Sequence, residues 1–391
     1  MTDLTDAFVP KFHPATGPIR PETTPLYTSS VYTFPSLDAV EAYYSGSAPD
    51  EYLYRRNGHP NERPVEHWLK TLERSEDAVL SSSGMAAISQ TCFALLKPGD
   101  HLLATKYLYG GTYAFFEQIL RPWGVEITYT DLNDVDELLR CQQPNTRMLY
   151  AESIANPLLE VADLVGIGRF AKENDLKLVV DNTFATPMLV RPVEHGATLS
   201  VHSLTKYLNG HSDVIGGAVC GAREEVEKVR KLSITFGGTL APFDAWMTER
   251  GLQTLHLRFP AQCRNAEQVA QYLVQHPGVE RVYYPGLPQH ATHSTAARIL
   301  NAGYGAMISF EVSGGRANAN DFVARLQQIN FAPSLGGIRS TVSHPVLTSH
   351  RAMSAQDRTD LGITEGLIRL SVGAEPVDTL LSDLEQALNP A

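Results

Sequence analysis

Cysteine is scarce and badly spaced for chemistry: the 391 residues hold four, Cys92, Cys141, Cys220 and Cys263, with no Cys-x-x-Cys pair among them. That excludes a disulfide framework and a zinc-ligand spacing, and the four read as reduced, buried thiols with no chemistry assigned. Positive charge is also in deficit. Lys plus Arg number 32 against 43 Asp plus Glu, a formal charge of −11 with His neutral. This argues against a nucleic-acid partner and leaves room for a small local anion pocket. No run of about 18 apolar residues is present, so no membrane helix is expected. The opening MTDLTDAFVPKFHPATG has no basic region followed by an apolar one, so no secretory signal is expected and a cytoplasmic location is. A Gly-x-Gly-x-x-Gly after the first strand, with an acidic residue about 20 positions on, is missing, which disfavours a dinucleotide-dependent dehydrogenase. His-Glu-x-x-His is missing too. The closest histidine pair, His290 and His293, follows a Pro-Gly turn without the needed glutamate, so no metal is expected. Internal repeats and low-complexity tracts are absent.

What is there reads as an ordinary globular chain, 43% hydrophobic and 19% charged. Its length exceeds the roughly 250 to 300 residues at which single cores stop growing, so two domains are expected. Residues 1–60, rich in Pro, Gly and Tyr with weak periodicity, read as an arm lying across a neighbouring subunit. Across 61–245, short apolar runs alternate with helical patterns: AVLSSS before GMAAISQTCFALL, HLLAT before GGTYAFFEQIL, and later RMLYAES, DLVGIGRFAKEN and KLVVDNTF. This alternation predicts βαβ crossovers and a mainly parallel sheet, an α/β domain. Residues 246–391 open with a long helical stretch, DAWMTERGLQTLHLRFPAQCRNAEQVAQYLVQH. Short strands and a closing helix follow, a smaller α+β domain.

Several residues fall where parallel-sheet proteins bind ligands. Lys206, in SLTKY at a strand end, is placed to be partly desolvated, which favours the neutral amine needed for Schiff-base formation; read alone, a solvated surface lysine is by far the commoner case. Asp181 ends the apolar run VVDNTF, where its carboxylate can face a protonated pyridine nitrogen or cap a turn. In SSSGMAAIS, Gly84 and Met85 open a helix whose free amides suit a phosphate, and Ser203 and Thr205 can add hydroxyl donors. Tyr109, in LYGGTY, can lie over a planar cofactor and move a proton, or be a rim tyrosine. Arg369, inside the apolar pattern IRLSVGAE, offers a two-point fork to a carboxylate, or a structural ion pair. Together these describe one site.

SSGMAAI, LYGGTY, ESIANP, DNTFATP, SLTKYLNGHSDVIGG, SLGG and RLSVG, in that order, resemble the Cys/Met-metabolism family of pyridoxal-phosphate enzymes. The resemblance implies the fold-type I transferase architecture, like that of aspartate aminotransferase, and pyridoxal 5′-phosphate as cofactor. It implies Lys206 as Schiff-base lysine and general base and Asp181 as partner of the pyridine nitrogen. Gly84, Met85, Ser203 and Thr205 would hold the phosphate, Tyr109 would stack on the ring, and Asn156 would sit near the phenolic oxygen. Ser334 and Arg369 would hold the substrate carboxylate. Tyr54 and Arg56 would reach the cofactor phosphate of a neighbouring subunit, giving a catalytic dimer within a homotetramer.

Three positions depart from the family pattern. His59, Pro60 and Asn61 follow Tyr54, Arg55 and Arg56 where the family reads YSRxxNPT. Arg339 stands where SLGGxES has glutamate, a reversed charge that would alter the substrate's accepted distal end. Gly111 stands where methionine γ-lyases carry cysteine. The expected activity is carbon–sulfur cleavage by γ-elimination of cystathionine or homocysteine-like substrates. γ-Replacement as in cystathionine γ-synthase, β-cleavage, methionine cleavage and a non-catalytic cofactor-binding protein are the alternatives.

Overall fold

The computed structural model describes residues 21–48, 51–351 and 353–389. Of the expected arm, residues 1–20 and 49–50 lie outside the described residues. Seven strands form the first sheet: β1 (Asp77–Ser81), β2 (His101–Thr105), β3 (Glu126–Thr130), β4 (Thr146–Glu152), β5 (Lys177–Asp181), β6 (Leu199–Ser203) and β7 (Gly217–Gly221). Their order is β1-β7-β6-β5-β4-β2-β3. The contiguous strands β6, β5, β4, β2 and β3 run parallel, and β7 lies antiparallel to both of its neighbours. The mainly parallel sheet expected from the alternating runs is therefore present. Apolar runs make these strands because both faces are covered. Val79, Leu102, Tyr150, Val179 and Val201 pack on one face with Ile88, Phe116 and Val226. Leu80, Leu103, Leu149, Leu178 and Val180 pack on the other with Trp68, Leu69 and Ile167.

The second sheet has the order β10-β11-β12-β9-β8. Its strands are β8 (Val279–Tyr283), β9 (Met307–Val312), β10 (Asn330–Phe331), β11 (Thr341–Ser343) and β12 (Leu367–Ser371). Apart from the parallel β10–β11 pair, its ladders are antiparallel. Phe310, Ile308 and Leu370 pack there against Val269, Leu273, Phe322 and Leu384 of three covering helices.

The single long helix read from 244–276 is two helices, Pro242–Leu252 and Leu255–Gln275. The break has a physical cause. Buried Arg258 folds back and donates to the carbonyls of Gly251 (2.8 Å) and Tyr207 (2.9 Å), drawing the joint onto the loop that follows β6. Before β1, the helix Leu37–Tyr44 buries no residue, and Leu37 and Tyr44 are exposed. Among the described residues no helix is long and apolar enough to cross a membrane. Cys92, Cys220 and Cys263 are buried free thiols, and Cys141 is half-buried.

Candidate active site

Parallel strands bring their carboxyl ends to one edge, and ligands bind outside that edge where strand order reverses. The reversal here falls between β4 and β2. Glu152 ends β4, Asp181 ends β5, Ser203 ends β6, and Tyr109 lies in the turn after β2. β12 supplies Arg369 from the second sheet. These residues line a cavity of about 600 Å³ together with Gly84, Met85, Asn156, Thr205, Lys206 and Ser334.

Lys206 Nζ is 3.3 Å from Ser334 Oγ. Burial, with a smaller push from the positive Arg369, lowers its pKa to about 8. The loop carrying it is held from behind by Arg258, which binds the carbonyls of Tyr207, Leu208 and Asn209. On the other side, Gly336 N donates to Ser371 Oγ at 2.9 Å, fixing the SLGG turn that carries Ser334.

Asp181 Oδ1 accepts from Thr183 N at 3.0 Å. Burial raises its pKa, while hydrogen bonds from Thr183 and the nearby His202 oppose the rise. Directly beside it in the ladder stands Glu152, whose pKa burial and the Asp181 charge push well up. Glu152 accepts from the backbone amides of Tyr109 (2.5 Å) and Asn156 (3.2 Å). Arg369 Nη1 donates to Asn156 Oδ1 at 2.8 Å. Arg369 Nε and Asn156 Nδ2 are buried donors without hydrogen-bond partners among the described residues. Such donors are expensive unless something binds them.

At the helix Gly84–Leu95 the Ser83 hydroxyl accepts from Ala86 N at 3.0 Å. A Cβ on Gly84 would fall 2.9 Å from Ser203 Cβ, so glycine keeps the concave space between this helix start and the β6 loop open. An anion fits there beside the amides of the helix end. Half-buried amine, half-buried carboxylate, phosphate cradle and orphaned donors fit pyridoxal phosphate.

Tyr54, Arg56 and Arg339 stay outside the lining. Arg56 Nη1 donates to Ile234 O at 2.7 Å, and its guanidinium carbon lies 5.7 Å from the centroid of the Tyr54 ring, both side chains being exposed. Arg339 is exposed because Ser340, bound through its amide (2.5 Å) and hydroxyl (3.0 Å) to Glu375, leaves the preceding residue on the outer side of the loop. The expected approach of Arg339 to the substrate is therefore not seen in the chain's own cavity. Sequence reasoning passed over Glu152, Thr183, Arg258 and His350. Glu152 and Thr183 sit inside the quoted motifs ESIANP and DNTFATP, whereas Arg258 and His350 act through main-chain contacts across the fold with no local signature.

A mainly parallel α/β sheet with a cofactor-sized cavity at its strand ends, holding a half-buried lysine, a carboxylate and a buried arginine fork, defines a fold-type I pyridoxal-phosphate enzyme. The chain belongs to the family described as Cys/Met metabolism PLP-dependent enzyme, which it matches over residues 14–389. It is 40% identical over 369 residues to the L-methionine gamma-lyase of Fusobacterium nucleatum subsp. polymorphum, covering 93% of this chain and 92% of that protein. It is 41% identical over 378 residues to the cystathionine beta-lyase of Coxiella burnetii (strain RSA 493 / Nine Mile phase I), covering 96% and 94%. The crystal structure of cystathionine gamma-lyase from Lactobacillus plantarum complexed with L-serine superposes with a TM-score of 0.87 at 38% identity, covering 93% of this chain and 92% of that one. The chain is thus a pyridoxal-phosphate-dependent enzyme of sulfur amino-acid metabolism.

A lysine at about pKa 8 sets a pH dependence for the cofactor-free protein. Only the neutral amine attacks an aldehyde. Its fraction falls about tenfold per unit below pH 8 and saturates above it, whereas an ordinary lysine would keep gaining reactivity to about 10.5. Stopped-flow absorbance of pyridoxal-phosphate capture is expected to level off above about pH 8. A rate still rising tenfold per unit at pH 9.5 would contradict the depressed pKa.

Proposed function

We propose that this chain is a carbon–sulfur lyase that carries out γ-elimination on cystathionine or homocysteine-like substrates. The observation that carries the reading is the Lys206 amine, half-buried and depressed to about pKa 8, in one cavity with Asp181 and Arg369. Bound pyridoxal phosphate supplies an electron sink for the charge left when a bond at the substrate's Cα breaks. The amides of Gly84 and Met85 and the hydroxyls of Ser203 and Thr205 would hold its phosphate. Asp181 would pair with its pyridine nitrogen, the Tyr109 ring would face it, and Asn156 Nδ2 would donate to its phenolic oxygen. Arg369 and Ser334 hold the substrate carboxylate.

Lys206 would act as a proton shuttle, removing the Cα proton, handing it on within the bound complex so that its amine is neutral again, and only then removing a Cβ proton, while the Tyr109 hydroxyl would protonate the departing sulfur. The charges are coupled in a useful direction. Arg369 lowers the Lys206 pKa, so a substrate carboxylate that neutralises Arg369 lets the lysine become a stronger base as the substrate arrives. Purified enzyme given cystathionine, homocysteine, methionine and O-acylhomoserines, with keto acids identified, tests the reaction. Release of 2-oxobutyrate supports γ-elimination; pyruvate alone, or replacement without keto acid, rejects it.

Arg56 and Tyr54 serve the neighbouring subunit's phosphate in a catalytic dimer within a homotetramer. Supporting this, Arg56 lies against Ile234 at the edge of an exposed aromatic group in which Phe93 contacts Trp123 and Phe236. Mixing R56A with K206A subunits is expected to restore up to about a quarter of wild-type activity, because random pairing leaves one intact site per mixed dimer. Proven hybrids without recovery would refute the shared site.

A further inference from the structure

His350 has no part in the reaction as written, yet it joins three segments of the site. It is 1% exposed and lies just past Leu347, Thr348 and Ser349, which line the cavity. Its Nε2 is 3.2 Å from the carbonyl of Leu108 and 3.2 Å from that of Asn156, and its Nδ1 is 2.8 Å from Ser349 Oγ. Carbonyls only accept, so Nε2 carries the hydrogen and Nδ1 accepts from the serine hydroxyl. The ring is neutral, as expected where burial and the nearby Arg369 lower its pKa to about 4.

The two carbonyls belong to the walls of the site. Leu108 precedes Tyr109, and Asn156 grips Arg369 through its side chain. Glu152 ties the same two loops through their amides. The histidine does the same through their carbonyls, from an element that precedes β12. A separate feature points to the same contact: a Cβ on Gly110 would fall 1.7 Å from Ser349 O, so the 347–350 segment seats against backbone with no room for a side chain.

We infer that His350 is a positioning residue: one Nε2–H shared between the Leu108 and Asn156 carbonyls sets the Tyr109 ring and the Arg369 fork relative to each other. The inference rests on the proposed roles of Tyr109 and Arg369. Displacing a reacting group by about 1 Å costs about 10²-fold in rate. Removing the shared donor leaves two buried carbonyls competing for other partners, so both loops shift.

The test uses holoenzyme variants loaded to equal cofactor content. Asparagine is too short to present a donor at the Nε2 position, whereas glutamine places an amide N–H there. H350N is expected to lose about 10²-fold in kcat/KM through both kcat and KM, with a changed visible circular dichroism of the bound cofactor. H350Q is expected to recover to within about fivefold of wild type and to regain the wild-type dichroism. G110A, which separates the same contact from the opposite side, is expected to copy H350N. Wild-type dichroism and kinetics in both H350N and G110A would overturn the inference. So would an H350Q as impaired as H350N, since bulk and not the donor would then matter. If H350N does not fold, G110A and H350Q decide it alone. Y109A and R369A run alongside separate the failures: near-normal activity in these sinks the reading of the site, while crippled Y109A and R369A beside an unaffected H350N sink only the role of His350.

Discussion

Replacing Lys206 by alanine is expected to yield a folded protein with no visible cofactor band and turnover at least about 10⁴-fold below wild type, because one substitution removes nucleophile and proton shuttle together. Positioned general bases alone are worth roughly 10² to 10⁴, and groups acting as a unit do not lose activity additively. The fold survives, since the amine contacts Ser334 while the surrounding backbone is held by Arg258. Stability moves the other way from activity. The folded-state pKa of Lys206 is about 8, against about 10.5 for an ordinary lysine. Holding the proton in the folded state therefore costs stability, fully below pH 8 and not at all above about 10.5. K206A removes that cost, so its Tm at pH 7 is expected to equal or exceed that of the cofactor-free wild type. Keto-acid release at a near-normal rate would sink the assignment. A Tm well below the cofactor-free wild type would show that Lys206 supports the fold.

The elements that built the site were legible where chemistry and local pattern coincide. Strands buried on both faces read as apolar runs, and each ends where a polar residue meets the cavity: Asp181 after LVV, Ser203 after LSVH, Tyr109 soon after HLLAT. The helix start at Gly84 was legible for the same reason, since the cap Ser83 precedes it. Contacts closing over long sequence separations were not. Arg258 looks like any charged residue on an amphipathic helix, yet it breaks the helical stretch and fixes the Lys206 loop because its partners are carbonyls about fifty residues away. His350 carries no signal beyond being a histidine, because what it binds is main chain. The motif register pointed Arg339 toward the substrate, but the anchoring of Ser340 on Glu375 decides its direction, and that contact joins residues on either side of β12.

The electron sink depends on a second charge, and Asp181 carries the other large expected effect. Asp181 and Glu152 are neighbours in the β5–β4 ladder, burial raises the pKa of both, and the Asp181 charge further disfavours ionisation of Glu152. Two buried carboxyls this close do not ionise equally. Donors reach both, Thr183 on Asp181 and the Tyr109 and Asn156 amides on Glu152, but Asp181 also feels His202, which favours its charged form, and the Asp181 charge is itself a cause of the raised Glu152 pKa. The proton therefore rests on Glu152, and Asp181 is left as the anion that a protonated pyridine nitrogen needs. D181N keeps the size and removes the charge. Breaking one side of a buried ion pair costs about 3 to 5 kcal/mol, so kcat is expected to fall by roughly 10² to 5 × 10³. KM is expected to change by less than about threefold, because the Arg369 fork that holds the substrate is untouched. Cofactor affinity should drop as well, measured by the loss of visible absorbance on dilution. A D181N enzyme with kcat within about threefold of wild type would mean that the pyridine nitrogen is not paired with Asp181, and that the anion among these two carboxyls has been placed on the wrong strand.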